Sequence, residues 1–330
     1  MRAYWYEKAG PAAEVLSCGA MPDPNPEAGE VRVKVTHSTV NPTDAKRRTA
    51  GREVSQFGRI IPNNDGAGVI DQIGPGVSKK RIGERVWIFG AQAGRPHGTA
   101  ADYVVLASRL AIALPAEASL ADGACLGVPA VTAHRGLFAD GSIAGQTVLV
   151  TGAAGRVGSY AVQLAKWAGA RVIGTAGSAA KVAAAAALGA DLALNYATDD
   201  VVKSVLEFTA GAGVDRIVDT AFSDTIKLAP QLLRPNGVIA SFSSDADPVP
   251  KIPFLSLMYK NITIRPFAIF AMPRDAQDQA FAGITAALRA GKLQHRIGGR
   301  MSFEGMIDAH ALMDGKGVWG CLVVDVAADR

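Results

Sequence analysis

Hydrophobic positions alternate with polar ones along the first third of the chain, and glycine and proline interrupt the pattern. In EVRVKV, the side chains of Val31, Val33 and Val35 fall on one face of an extended strand. Three further apolar runs, GAGVIDQIG, ERVWIF and ADYVVL, follow between turn residues. This spacing predicts a β-rich first domain.

From about Leu120 the pattern changes to alanine-rich helical segments that alternate with short apolar strands. The predicted strands are TVLVTG, ARVIGT, DLALNY, DRIVDT, GVIASFS and NITIRPF. Such alternation predicts crossover helices and a doubly wound parallel sheet of the Rossmann type. A further helix is predicted in AQDQAFAGITAALRAGKL and a last strand in WGCLVVDV. The expected fold class is α/β, with residues 1–122 and 272–330 in a β-rich domain and 123–271 in a Rossmann domain.

The strand TVLV runs into a turn with three glycines, Gly152, Gly155 and Gly158, before a helix begins. Glycine lets a ligand approach the backbone, and the N–H groups at the amino end of a helix attract an anion such as a diphosphate. The spacing is GxxGxxG, with Ala154 where the GxGxxG fingerprint has its middle glycine. An ordinary tight turn would use the same glycines, so the flanking strand–helix–strand pattern carries the prediction of a dinucleotide site.

The segment after the next strand, ARVIGT, indicates which dinucleotide is bound. In an NAD site a carboxylate about twenty residues past the glycines binds the ribose hydroxyls, and this sequence has none there. TAGSAAK instead supplies Gly177, Ser178 and Lys181, a hydroxyl and a cation suited to a 2′-phosphate. NADPH is therefore the expected cofactor. The alternative is that Ser178 caps the next helix and Lys181 is a solvated side chain, and capping is compatible with phosphate binding.

Composition narrows the function classes. The 330 residues are 49% hydrophobic and 19% charged, which suits two folded cores. A net charge of +4 without a lysine or arginine run makes a nucleic-acid partner an unfavoured class. Cys18, Cys125 and Cys321 lie far apart, so neither a disulfide framework nor a cysteine-rich zinc site is expected. The sequence shows no signal peptide and no membrane span, so a soluble cytoplasmic protein is expected.

Several motifs together resemble one superfamily over essentially the whole chain. They are NPTDAKRR, NNDGAGVIDQIGPGV, GERV, GVPAVTAHRGLF, GAAGRVGSYAVQLAKWAGA and AHALMDGKGVWGCLVV. In this order they resemble the medium-chain dehydrogenases/reductases, and within them the zinc-free quinone oxidoreductase (zeta-crystallin-like) branch. The resemblance implies a GroES-like substrate domain beside the Rossmann domain. It also implies an NADPH-dependent reductase of quinones or α,β-unsaturated carbonyls, and a homodimer that pairs through NITIRPF.

The resemblance also implies site residues by position. Arg156 and Val157 would face the diphosphate, and Asn41 and Thr132 would border the nicotinamide and the substrate. The other implied cofactor residues are Gly177, Ser178, Lys181 and Tyr196 on the adenosine side, Phe242, Ser243, Ser244 and Phe267 on the nicotinamide side, and Lys316 in the tail. The structural alternatives are a turn residue for Asn41, the start or cap of a helix for Thr132, and core packing for Tyr196, Phe242 and Phe267.

A metal is not expected. At the positions where zinc alcohol dehydrogenases carry ligands, this sequence has His37 to Asn41 and then Asn63, Asn64 and Asp65, a poor donor set for zinc. A hydride acceptor then needs other groups to stabilise the developing oxyanion, and the candidates are Asn41, Lys46 and Thr132. The proton can come from water. The alternative for Lys46, together with Arg47 and Arg48, is an ordinary solvated helix face.

One departure from the resembled family concerns the substrate. Where quinone reductases often carry tyrosines after the Asn-x-x-Asp segment, this sequence has Lys46 and Arg52, which favours a charged or smaller enone over a flat quinone. Two other functions remain open. One is an enoyl-thioester reductase, and the other is a cofactor-binding protein with little turnover, including an RNA-binding one.

Overall fold

A computed structural model describes residues 1–315 and 317–327. Backbone contacts divide the chain into two units. The β-rich unit comprises Met1–Val128 and the chain from His295 onward, and the parallel-sheet unit comprises Pro129–Gln294. The expected α/β fold class is confirmed. The stretches that the structure describes contain no helix with the length and hydrophobicity that a bilayer crossing requires.

The first part of the β-rich unit is built mainly of strands. Its strands are β1 (Arg2–Trp5), β2 (Ser17–Ala20), β3 (Glu30–Val40), β4 (Asp65–Ile73), β5 (Arg85–Ile88), β6 (Tyr103–Ala107) and β7 (Ala111–Ala113). Its helices are α1 (Ala12–Val15), α2 (Pro42–Ala50), α3 (Val54–Phe57) and α4 (Leu120–Ala124). All four segments predicted as strands in this region are strands. Val31, Val33 and Val35 are fully buried, as their alternation predicts.

The parallel-sheet unit alternates strands and helices. Helix α5 (Gly127–Phe138) leads into it. Its strands are β8 (Thr147–Val150), β9 (Arg171–Ala176), β10 (Leu192–Asn195), β11 (Val214–Asp219), β12 (Leu233–Ser241) and β13 (Thr263–Pro266). Its helices are α6 (Arg156–Trp167), α7 (Ala179–Ala187), α8 (Val201–Phe208), α9 (Phe222–Leu232), α10 (Phe254–Tyr259) and α11 (Arg274–Arg289).

The strands of this unit form one parallel sheet in the order β10-β9-β8-β11-β12-β13. Strands β9 and β10 follow on one side of β8, and β11, β12 and β13 follow on its other side. The order therefore reverses between β8 and β11, the point where ligands bind in open sheets of this type. Every residue of the central strand β8 is buried, as expected for a sheet with helices on both faces.

The chain completes the β-rich unit with β14 (Ile297–Ser302), α12 (Met306–Asp314) and β15 (Cys321–Asp325). The main sheet then has the order β14-β15-β3-β4-β5-β7, with β6 also paired to β3. Because β15 pairs antiparallel with the far end of β3, Leu322 lies opposite Val40. The long strand β3 is thus the centre of this unit, and its carboxyl end leads directly into α2.

Helix α11 lies in the parallel-sheet unit. Ala280, Phe281 and Ile284 form its buried face, and Gln163 on α6 exchanges hydrogen bonds with the backbone of Gln294 beyond its end. The contacts accordingly divide the chain after residues 128 and 294. The boundaries predicted after residues 122 and 271 differ from the divisions after residues 128 and 294. The second predicted boundary lies before α11, whereas the apolar face of α11 packs on the parallel-sheet unit. As functional domain limits they stay predictions.

Candidate functional site

The glycine turn after β8 has the geometry of a close strand-to-helix connection. Gly152 has φ +63°, a left-handed conformation that glycine adopts without strain. Gly155 is the cap residue of α6, and its N–H donates to the Gly152 carbonyl at 2.8 Å. A Cβ on Gly158 would lie 2.1 Å from the same carbonyl oxygen. The turn therefore needs glycine at both ends, and α6 begins at Arg156 with a cap residue that has no side chain to cover its first N–H groups.

The predicted adenosine-side residues lie together at the ends of β9 and β10. The Tyr196 N–H donates to Ala176 at 3.0 Å, and its hydroxyl lies 2.4 Å from where a Cβ of Gly177 would stand. Ser178 caps α7 through its Oγ, which accepts from the N–H of Lys181 at 3.4 Å. The capping alternative for Ser178 therefore holds. Tyr196 is 62% exposed, so the alternative that it packs in the core is wrong.

The predicted nicotinamide-side residues follow β12 and β13, which are neighbouring strands. The Phe242 N–H donates to the Asp219 carbonyl at 3.2 Å, and the Phe267 N–H donates to the Ser241 carbonyl at 3.0 Å. The rings of Phe242 and Phe267 are 6.0 Å apart between centroids, tilted by 56°. Both are half-buried, and Ser243 accepts from the N–H of Phe222 at 3.0 Å. These residues share the carboxyl edge of the sheet with the glycine turn.

In the β-rich unit, Asn41 lies in a buried polar cluster where β3 meets α2. Its side-chain amide donates to Asp65 Oδ2 at 2.7 Å, and its backbone N–H donates to Asp44 Oδ2 at 2.8 Å. Asn64 donates its amide to Asp44 Oδ1 at 2.6 Å, and the N–H of Val128 donates to Asp65 Oδ2 at 2.7 Å. Asn41 is thus the cap residue of α2, as the turn alternative expects, and its side-chain amide is also held by a carboxylate.

Two buried carboxyl groups set the electrostatics of this cluster. Burial raises the pKa of Asp44 to about 6, against the lowering effect of its hydrogen bonds from Asn41 and Asn64. Burial, and then the negative charge of Asp44, raise the pKa of Asp65 well above its usual range. Asp65 Oδ1 has no hydrogen-bond partner within the described residues, and a Cβ on Gly127 would lie 2.0 Å from it. Glycine at 127 is therefore what makes room for this carboxyl group.

The residues at the zinc positions do not fit a zinc ion. Asn63 donates its amide to Ser38 Oγ at 2.9 Å, and Asn64 donates to Asp44, so both amides are engaged within the protein. His37 Nδ1 lies 3.1 Å from the hydroxyl of Thr36. Over residues 1–315 and 317–327, no group of three or more His, Cys, Asp or Glu side chains could hold a metal ion. A catalytic zinc site needs such a set around an open position.

The remaining candidates lie in different places. Lys46 is on the exposed face of α2, and Thr132 is buried within α5. The solvated-face alternative is wrong for Arg48, which is fully buried and pairs with Asp314. The alternative that Thr132 starts or caps its helix is wrong, because α5 begins at Gly127. Lys316 lies outside the described residues.

Sequence reasoning missed Asp219. This carboxylate is fully buried at the end of β11 and accepts hydrogen bonds from the hydroxyls of Thr151, Thr225 and Ser241. The sequence did contain a sign of this residue, because an aspartate lies near the end of the predicted strand DRIVDT. The carboxyl ends of parallel strands lie at one edge of the sheet, where ligands bind. The partners of that residue could not be read from the sequence.

The comparisons with known proteins agree with this architecture. Residues 27–116 match the alcohol dehydrogenase GroES-like domain, and residues 157–286 match the zinc-binding dehydrogenase domain. A solved NAD-dependent alcohol dehydrogenase is 29% identical with a TM-score of 0.86, and covers 99% of this chain and 100% of its own. A mycobacterial protein solved in complex with NADPH is 25% identical with a TM-score of 0.85 and the same coverage. The fold defines a medium-chain dehydrogenase/reductase.

The curated relatives narrow the class further. The chloroplast envelope quinone oxidoreductase homolog of Arabidopsis thaliana is 33% identical over 67% of this chain and 68% of its own length. The 2-haloacrylate reductase of a Burkholderia species is 28% identical over 98% of both chains. The chain belongs to the quinone oxidoreductase (zeta-crystallin-like) family of medium-chain dehydrogenases/reductases. It is therefore an oxidoreductase.

Proposed function

We propose that this protein is an NADPH-dependent, zinc-independent reductase that transfers hydride to a quinone or an α,β-unsaturated carbonyl. The observation that carries the proposal is the cluster at the end of β9. There the Tyr196 hydroxyl lies against Gly177, and the neighbouring Ser178 caps α7 by accepting from the backbone N–H of Lys181. Tyr196, Ser178 and Lys181 are all exposed, and a phenol, a hydroxyl and a cation on these neighbouring segments would suit a 2′-phosphate, which a carboxylate would repel.

The residues fit the rest of the cofactor. The turn from Gly152 to Gly158 would hold the diphosphate on backbone N–H groups at the start of α6, with Arg156 and Val157 nearest. Phe242, Ser243, Ser244 and Phe267 would bind the nicotinamide half at the ends of β12 and β13. The binding of NADPH by the mycobacterial relative supports this assignment.

NADPH held by these residues would supply one hydride, which carries two electrons, and would leave as NADP⁺. The acceptor takes the hydride at carbon or oxygen and one proton from water, so an enone becomes a saturated ketone and a quinone becomes a hydroquinone. Negative charge develops on the acceptor oxygen, and hydrogen-bond donors stabilise it. The candidate donors are Asn41, Lys46 and Thr132. Asp65 holds one N–H of the Asn41 amide, which leaves the second N–H to donate elsewhere.

A charged or small acceptor suits this chain better than a flat quinone. Lys46 and Arg52 are both exposed, and they stand where the family often has tyrosines. A relative that matches this chain end to end is a 2-haloacrylate reductase. An α,β-unsaturated carboxylate is therefore a substrate class to test beside quinones and neutral enones.

The test is the rate of NADPH oxidation, with NADH in parallel, after treatment with a metal chelator. The acceptor panel comprises quinones, neutral 2-enones, 2-haloacrylate and an enoyl thioester. Turnover that prefers NADPH and survives the chelator supports the proposal, and the fastest acceptor defines the substrate class. Loss of activity with the chelator would overturn zinc independence. Tight NADPH binding without turnover of any acceptor would favour the cofactor-binding protein, and selective thioester turnover would favour the enoyl reductase.

The proposal includes a homodimer formed through the parallel-sheet unit. β13 is an edge strand of its sheet, and the preceding helix α10 exposes apolar side chains, with Phe254, Leu255 and Tyr259 exposed by 62%, 61% and 81%. A second copy presents the same edge by two-fold symmetry and would cover these residues. Light scattering should give a dimer mass for the wild type and a monomer mass for Leu255→Glu. Ile82→Glu, a change at another exposed apolar residue, is the control that should stay dimeric.

A further inference from the structure

Asp219 is a buried carboxylate surrounded by hydrogen-bond donors. Its Oδ1 accepts from Thr151 Oγ1 at 2.9 Å, from Thr225 Oγ1 at 2.6 Å and from the N–H of Ala221 at 3.2 Å. Its Oδ2 accepts from Ser241 Oγ at 2.8 Å. The arginines on β11 and β12, Arg216 and Arg234, form ion pairs with Asp140 and Asp215. These hydrogen bonds satisfy both oxygens of a buried carboxyl group, so Asp219 restrains each of its donors.

The direction of one of these bonds is fixed. The N–H of Thr220 donates to Thr151 Oγ1 at 2.9 Å, so the hydroxyl proton of Thr151 is directed at Asp219. A carboxylate is suited to this place because each of its partners donates to it. An asparagine would replace one acceptor oxygen by an N–H₂ group, which would then face a group that donates to Asp219.

The donors belong to the segments that carry the proposed cofactor residues. Thr151 directly precedes the glycine turn that begins at Gly152, and Ser241 directly precedes Phe242. The backbone carbonyl of Asp219 also accepts from the N–H of Phe242 at 3.2 Å. One residue therefore links both segments on the carboxyl edge of the sheet.

The link crosses the point where the strand order reverses. The ladder between β8 and β11 ends with Val150 opposite Val218. Beyond that pair the two strand ends are joined by the backbone bond from Thr151 to Val218 and by the Thr151–Asp219 side-chain bond. On the other side, Asp219 lies opposite Ser241 in the ladder between β11 and β12. The carboxylate thus bridges three adjacent strand ends where an open parallel sheet binds its ligand.

We propose that Asp219 is a positioning residue for the cofactor, holding the glycine turn and the segment Phe242–Ser244 in fixed relation. The inference rests on the proposed NADPH site and adds to it the residue that preorganises the diphosphate and nicotinamide half. The adenosine end, at Gly177 and Tyr196, has no bond to Asp219 among the described contacts. Removing the carboxylate therefore weakens one half of the site selectively.

Asp215 provides a matched control on the same strand. It lies toward the opposite end of β11, where its Oδ2 accepts from the N–H of Thr147 at the start of β8, at 2.7 Å. Both aspartates therefore join β11 to β8, one at each end. Asp215→Asn should loosen the amino end of this pair and leave the carboxyl edge intact.

The first measurement is amide hydrogen exchange without ligand, in Asp219→Ala, Asp219→Asn and Asp215→Asn. Both Asp219 variants should exchange faster at residues 151–158 and 241–244, the alanine variant more so. The Asp215 variant should exchange faster only near Thr147 and Arg234, the two residues that Asp215 contacts at the amino end of the sheet. Wild-type exchange in 151–158 and 241–244 of both Asp219 variants would overturn the proposal, and so would faster exchange of those peptides in the Asp215 variant.

The second measurement is cofactor affinity by calorimetry. Asp219→Asn should raise the Kd for NADPH by about tenfold, while the Kd for adenosine 2′-monophosphate changes by less than about twofold. Equal weakening of both ligands would make Asp219 a general stability residue and overturn the proposal. If the wild type binds no NADPH, the proposed function fails, and hydrogen exchange still decides whether Asp219 fixes the two segments.

Discussion

The two units each bury carboxyl groups, and they satisfy them differently. In the parallel-sheet unit, both oxygens of Asp219 accept hydrogen bonds from hydroxyl or N–H donors. In the β-rich unit, Asp65 accepts on Oδ2 only, and the nearby charge of Asp44 adds to burial in raising the pKa of Asp65. Both Asp65 and Asp219 are fully buried. The comparison shows that equal burial leaves two carboxyl groups in different environments, because the donors and charges around them differ.

The two units also use glycine differently. Gly127 in the β-rich unit gives space to a side chain, because the carboxyl group of Asp65 occupies the volume of its missing Cβ. Gly158 in the parallel-sheet unit gives space to backbone, because the carbonyl of Gly152 lies there. A side chain can rotate away from a new methyl group, whereas the backbone of a tight turn cannot. Substitution should therefore cost more at Gly158.

The largest effect is expected for Gly158→Ala. Its Cβ would lie 2.1 Å from the Gly152 carbonyl oxygen, so the glycine turn must open. We expect the free energy of unfolding to fall by about 2 kcal/mol and the Kd for NADPH to rise about 100-fold, because the displaced N–H groups no longer face the diphosphate. Calorimetry and urea unfolding measure the two quantities.

The matched control for that variant is Gly315→Ala, where the nearest atoms to a new Cβ would lie at 3.7 and 3.8 Å, an ordinary contact. This control should keep the stability of the wild type. If Gly158→Ala bound NADPH like the wild type, the glycine turn would not be the diphosphate site. The close approach at Gly158 would then have no role in cofactor binding.

The sequence predicted most of the fold for a physical reason. Most strands of the parallel-sheet unit contain a short apolar run and lie between helices, so their type could be read locally. The glycine turn was visible because Gly152 and Gly158 are required by backbone geometry alone. The place of α11 was not visible, because an amphipathic helix does not reveal which unit its apolar face covers.

A second comparison concerns one buried histidine in each unit. Burial, and then the charge of Arg48, lower the pKa of His310 in the β-rich unit to about 3. Burial, and then the charge of Arg135, lower the pKa of His134 in the parallel-sheet unit to about 4. Both are neutral in the folded protein at neutral pH. The unfolded chain binds these protons near pH 6.5, so stability from each histidine is present above that pH and is lost as pH falls.

His310→Gln should remove the loss of stability that His310 causes between pH 6.5 and about 3, which has a slope of up to about 1.4 kcal/mol per pH unit. A glutamine amide can still donate to Asn63 Oδ1, which His310 Nε2 approaches at 2.9 Å. Asp44 contributes in the opposite direction, because its raised pKa of about 6 adds stability as pH falls toward 3.8. The variant should therefore resist acid better than the wild type.

Urea unfolding at pH 7.5, 6, 5 and 4 measures this effect, with amide exchange to assign it to a unit. His134→Gln is the matched variant and should reduce acid sensitivity in the parallel-sheet unit over the window from 6.5 to about 4. An acid profile of His310→Gln identical to that of the wild type would contradict the idea that this histidine is buried in its neutral form.

The candidate site was only partly predictable. Gly177, Ser178 and Lys181 are close in sequence, so their proximity was evident, and only Tyr196 had to arrive from the next strand. The bond between Asn41 and Asp65 spans two strands, and it depends on how the end of β3 meets the start of β4. Such pairings depend on sheet register and side-chain packing, which no local pattern in one sequence specifies.

The smallest expected effect is that of Lys181→Ala, which tests the adenosine end against the diphosphate end of the same unit. The variant removes a cation near the proposed 2′-phosphate and leaves the glycine turn untouched. We expect the Kd for NADPH to rise about fivefold to tenfold, while the Kd for NADH stays unchanged because NADH has no 2′-phosphate. Lys203→Ala, on the exposed surface of α8, is the control and should change neither constant. Equal weakening of NADPH and NADH by Lys181→Ala would contradict a phosphate-specific role. The expected selective effect would separate recognition of the phosphate at the end of β9 from the backbone geometry that Gly158 and Asp219 maintain at the centre of the sheet.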